Sequence, residues 1–67
     1  MYPVRRYFVP IDEGNFMVDV WKMAGGYRAS AQQLDVDEYR TRITKSQNTE
    51  TIAVHTAVNM LIKDYNL

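Results

Sequence analysis

Sixty-seven residues, 46% of them apolar and none of them cysteine, make a single domain near the lower size limit for folding without covalent staples. Eight basic and eight acidic side chains cancel to zero formal charge, which argues against a strongly electrostatic nucleic-acid binder, because phosphate neutralisation supplies much of such affinity. Without cysteine there is neither a disulfide framework nor a thiolate zinc site, and no apolar run approaches the roughly 20 residues of a membrane span.

The N-terminus, Met1-Tyr2-Pro3-Val4-Arg5-Arg6, lacks the apolar core of a signal peptide, so the expectation is a cytoplasmic protein. A chain this small also gains from burial against a partner, so a homo-oligomer is expected.

Val4–Ile11 and Phe16–Met23 are rich in β-branched and aromatic residues and are joined by Asp12-Glu13-Gly14-Asn15, the composition of a β-hairpin. A Glu13-Gly14 loop pairs Ile11 with Phe16, Val9 with Val18 and Tyr7 with Val20. A three-residue loop with Gly14 left-handed pairs Phe8 with Val18 instead. Pro3 and Pro10 cannot donate to a ladder, which places the first strand at a sheet edge. The competing reading takes Asp12–Ala24 as a helix, since Phe16, Val20, Met23 and Tyr27 also recur at helical spacing. Gly14 and the run Val18-Asp19-Val20-Trp21 favour strands.

In the two-residue-loop register one hairpin face is almost wholly apolar. The other carries Arg6 and Phe8 beside Met17 and Trp21, with Arg6 opposite Trp21 as a cation–π pair. Two short helices cover one face of a small sheet, so Phe8, Met17 and Trp21 are expected as exposed apolar anchors for a protein partner or a second copy, with Arg6 at the polar rim.

Gly25-Gly26 reads as a tight turn, since neither a G-x-G-x-x-G pattern nor a Walker lysine surrounds it. Tyr27–Gln33 alternates as a half-buried strand does, while Tyr27, Ala31 and Leu34 also share a helical face; the strand is preferred.

Two helices are then expected. The first, Val36–Lys45, starts at an Asp35 N-cap with Glu38 closing a capping box, and with Leu34 and Tyr39 at the staple positions. Val36, Tyr39 and Ile43 form its inward stripe, and Glu38 and Arg42 its i,i+4 ion pair. Ser46-Gln47-Asn48-Thr49 breaks it. Asn48 or Thr49 caps the second helix, Glu50–Tyr65, whose core stripe is Val54, Val58, Leu61 and Tyr65, widened by Ala53, Ala57 and Ile62.

The catalytic inventory is thin. His55 is the one histidine, and its spacing to Ser30 and Ser46 suggests no triad, so it reads as a boundary residue. Asp12-Glu13 belongs to a turn, while Asp35, Asp37 and Glu38 belong to a cap rather than a metal loop. No enzyme, cofactor or metal site is expected.

Tyr27–Val36 loosely resembles a helix-turn-helix, with Ala31, Leu34 and Val36 at familiar spacing and Asp35 in place of the turn glycine. That resemblance implies a DNA-binding regulator with Arg40, Arg42 and Lys45 on phosphates, but it opens the recognition helix with Asp37 and Glu38, which phosphates repel. The expected fold is therefore α+β: an antiparallel sheet of the hairpin plus a third strand, packed by two C-terminal helices. Its expected role is a protein-interaction or assembly module. The alternative is a mostly α helix-turn-helix.

Overall fold

A computed structural model describes residues 2–67. Four strands form one antiparallel meander in chain order: β1 (Arg5–Ile11), β2 (Gly14–Met23), β3 (Gly26–Gln33) and β4 (Thr41–Ile43). One helix, α1 (Glu50–Tyr65), packs across it. The domain is α+β as expected, but among the described residues it has four strands and one helix rather than three strands and two helices.

The hairpin forms, and β2 occupies the segment that the competing helix would have needed. Its register matches neither expected loop. Ile11 pairs with Gly14, Val9 with Phe16, Tyr7 with Val18 and Arg5 with Val20, so the turn is Asp12-Glu13. Neither turn residue takes a positive φ; Gly14 takes it instead, at 151°, as the first residue of β2. The shift from the Glu13-Gly14 register is two residues, one full side-chain period, so every residue keeps its expected face. Its opposite number does change: Arg6 lies across from Asp19, not Trp21.

Tyr27–Gln33 is strand, within β3, and pairs along its length with β2. This removes the first helix of the helix-turn-helix reading. The second is missing too, because Val36–Lys45 is not helical. Asp35 adopts φ 59° and accepts from Asn15 Nδ2 at 2.6 Å, turning the chain back toward the sheet instead of capping a helix. Glu38 pairs with Arg40 rather than Arg42. Tyr39 and Ile43, expected to face inward, are 74% and 56% exposed.

Two things override the capping signal. Thr41, Ile43 and Thr44 are β-branched and prefer extended backbone. The outer edge of β3 also needs ladder partners, and β4 supplies them. Thr44 completes the edge: its backbone N–H donates to Ala29 O at 2.9 Å, and its buried hydroxyl accepts from Ala29 N–H at 3.0 Å.

The final helix lies where its periodicity put it. Thr49 is the N-cap and accepts from Ile52 N–H at 3.1 Å, and Asn66 closes the other end in left-handed backbone. Its buried residues Ala53, Ala57, Val58 and Leu61 meet Phe16, Val18, Val20, Ala29 and Ala31 of the sheet, and together these form the core. Tyr7, Val9, Val54, Ile62 and Tyr65 pack partly buried around it. β1 is an edge strand, as expected from Pro10 within it and Pro3 just before it. No helix among the described residues is long and apolar enough to cross a membrane.

Candidate functional site

Strand alternation sends Phe16, Val18 and Val20 into the core under α1 and turns Met17, Asp19 and Trp21 to the opposite side. The ladder extends that second side across all four strands. Arg6 and Phe8 come from β1, Met17, Asp19, Trp21 and Met23 from β2, Arg28, Ser30 and Gln32 from β3, and Thr41 and Ile43 from β4. No helix covers this face among the described residues, so the three expected anchors, Phe8, Met17 and Trp21, and the expected rim residue Arg6 share one open surface.

They do not share it as expected. Arg6 makes a two-point ion pair with Asp19, Nε to Oδ1 at 2.6 Å and Nη2 to Oδ2 at 3.1 Å, which holds the guanidinium across the middle of the face. That hydrogen bond, reinforced by the opposite charge, raises the Arg6 pKa above its ordinary value. Phe8 is 58% exposed beside it, whereas Met17 and Trp21 are half-buried.

Trp21 pairs with Arg28 in the ladder, and the two line a cavity of about 210 Å³ with Met23 and Ile43. Arg28 is held at its rim by Nε donating to the Thr44 carbonyl at 3.0 Å. A second, more polar hollow of about 270 Å³ lies on the same face, where Tyr39 meets Arg6, Met17, Asp19 and Gln32. Sequence reasoning missed Arg28, Tyr39 and Ile43. The first was hidden by doubt over the third strand, and the other two by the expected helix. The adjacent β-branched Thr41, Ile43 and Thr44 were the available signal.

The charges are sorted along the strands. A meander places the β1–β2 turn and the β3–β4 connection at one end, which gathers Asp12, Glu13, Asp35, Asp37 and Glu38 there, with Arg40 among them paired to Glu38. The other end carries Arg28 and Lys45 near Trp21, while Arg5 and Lys22 project on the α1 side, Lys22 over the Tyr27 ring at 5.4 Å. The nearby acid Glu50 is already held by Arg5 Nε at 2.8 Å and by the Tyr7 hydroxyl.

The cations assigned to DNA contact in the helix-turn-helix reading lie elsewhere. Arg42 projects on the α1 side, donates to Asp64 Oδ2 at 2.7 Å and lies 5.1 Å from the Tyr65 ring centroid. Arg40 stacks on the same ring at 4.4 Å and binds Glu38 and Gln33. Lys45 is exposed at the basic end.

His55 is exposed on α1, where it borders a gap between the helix and β1 with Tyr7 and Val54. Ser30 faces away from it across the sheet, so the two cannot form a nucleophile–base pair. Among the described residues no group of three or more metal-ligating side chains converges. No family model matches the chain, and comparison with curated proteins and with solved structures finds no match to either.

Proposed function

We propose that this chain is a non-catalytic protein-interaction module that docks its partner on the helix-free face of the sheet. The observation that carries the reading is the cavity of Trp21, Met23, Arg28 and Ile43, an apolar hollow with one cation at its rim on an otherwise open face. Interfaces are enriched in aromatic, methionine and arginine side chains, and contact energy concentrates where such a side chain sits in a pocket. Phe8 and Met17 widen the apolar area, and the Arg6–Asp19 pair supplies a fixed polar contact beside them. With Arg28 and Lys45 nearby, the face favours a partner that presents an aromatic or aliphatic side chain next to carboxylates.

The test is a peptide-display selection on the intact chain immobilised at low density, followed by calorimetry on the enriched peptides. Binding is expected to weaken at least tenfold in Trp21→Ala and in Phe8→Ala, with the fold preserved by circular dichroism. Phe8 is the safer variant, being the more exposed of the two. Peptides that bind both variants as tightly as the unaltered chain would refute the reading. Salt-dependent capture of duplex DNA, lost in Arg28→Ala, would assign the face to nucleic acid instead.

A further inference from the structure

The open face carries its own complement. At one end is an apolar cavity rimmed by Arg28, with Lys45 close by in the chain just past β4. At the other end, the β3–β4 connection presents Tyr39, 74% exposed, directly after Asp37 and Glu38. Glu38 is held by Arg40, which leaves Asp37 as the carboxylate offered next to this aromatic, and an exposed aromatic beside a carboxylate is the ligand that the cavity favours. Resting on the docking reading above, we propose that the partner is a second copy of this chain, bound face to face with its strands reversed end for end.

The register shows how the two ends meet. Arg6, Asp19, Ser30 and Ile43 form one ladder row on the open face, and Phe8, Met17, Gln32 and Thr41 the next. A two-fold axis lying across the strands between these rows passes at the level of Ala31. Arg28 is three residues to one side of that level, and Leu34, where the acidic connection begins, is three residues to the other. The axis therefore sets the Trp21–Arg28 cavity of each copy against the Asp35–Tyr39 segment of the other, twice over.

It also covers Phe8 and Ile43, two of the large apolar side chains left exposed. Sheets stack about 10 Å apart, close enough for the tyrosine to enter the cavity opposite. The contact is isologous and closes at two, the commonest symmetry of soluble oligomers. With zero formal charge, the copies have no net repulsion to overcome while their opposite ends attract.

The size of the face sets the strength. Four strands about 4.8 Å apart and about seven residues long at about 3.4 Å give a patch about 19 by 24 Å. That is small for a dimer interface, so the association is expected in the micromolar range and weakened by salt.

Sedimentation velocity on the full chain, in low and high salt, tests this with charge exchange. The unaltered chain should dimerise in low salt and dissociate as salt rises. Arg28→Glu alone and Asp37→Lys alone should each weaken dimerisation at least tenfold, because each sets like charges together at both contacts. An equimolar mixture of the two variants should recover the dimer, since every reversed charge then meets its opposite, and the double variant should also recover it. Tyr39→Ala, which alters an exposed side chain, should weaken the dimer without changing the fold.

A chain that stays monomeric in low salt, an assembly larger than two, or single reversals without effect would each overturn the proposal. A monomer that still takes selected peptides at Trp21 would overturn self-recognition while leaving the docking face intact. A dimer indifferent to Trp21→Ala and Phe8→Ala would remove the docking reading and this one together.

Discussion

Gly26 holds φ at 138° where β3 leaves its turn, and a Cβ built there would fall well inside contact distance of the Gln47 carbonyl oxygen. That approach is what lets Tyr27 and Gln47 exchange hydrogen bonds, N–H to O at 2.8 and 2.7 Å, and so dock the chain that leads into α1. Gly25, its neighbour, has open space around it and no such backbone requirement. Gly26→Ala is therefore expected to cost about 2–4 kcal/mol through backbone strain and the lost bridge. Gly25→Ala should stay within about 0.5 kcal/mol, as exposed substitutions do. Urea unfolding of both variants checks the contrast, and equal effects would contradict it. The sequence marks the pair as a turn, but not which glycine is indispensable, because Gln47 is distant in the chain.

β1 and α1 are joined through side chains at the helix N-terminus. Glu50 lies in the first turn, where a carboxylate suits the exposed N–H groups, and it accepts from the Tyr7 hydroxyl and from Arg5. The hydrogen bond to Glu50, followed by burial, raises the Tyr7 pKa above its ordinary 10.0. Because the folded value lies above the unfolded one, this contact contributes fully below about pH 10 and is lost as pH climbs through the folded value. Urea midpoints measured from pH 8 to pH 12 should thus fall more steeply for the unaltered chain than for Tyr7→Phe. Parallel curves would contradict this. Helix limits and cap were legible beforehand because Thr49 and the 3.6-residue period act locally. The partner of Glu50 was not, since Tyr7 reaches it only once the sheet has formed.

Across the whole molecule the helix–sheet core is built largely from small residues. Ala29 and Ala31 of the sheet and Ala53 and Ala57 of the helix are all fully buried in one cluster, with Phe16 and Leu61 as its largest members. Alanines on both sides bring the helix close to β3, and a close-packed layer has no room for added volume. Ala57→Leu should cost about 1–3 kcal/mol by overpacking. In a domain this small that lowers Tm by roughly 4–8 °C per kcal/mol. A calorimetric scan showing an unchanged or higher Tm would mean the layer has slack. The same arrangement keeps the helix on one side, so no helix among the described residues covers the other face of the sheet.

Reading the chain alone was enough for the hairpin, the edge position of β1, the third strand and the final helix, because alternation, proline chemistry and helical periodicity are local or nearly so. It was enough, too, for the division of hairpin residues between two faces, which survives any register shift of two. It misassigned Val36–Lys45, where a good capping box competed with an unpaired strand edge. Local capping is worth about 1 kcal/mol, whereas β4 gives β3 its missing hydrogen bonds and buries the Thr44 hydroxyl against Ala29. Such demands come from residues far away in sequence. The same long-range pairing turned Tyr39 and Ile43 outward, set Arg28 beside Trp21, and placed the acidic β3–β4 connection at the opposite end of the sheet from Arg28.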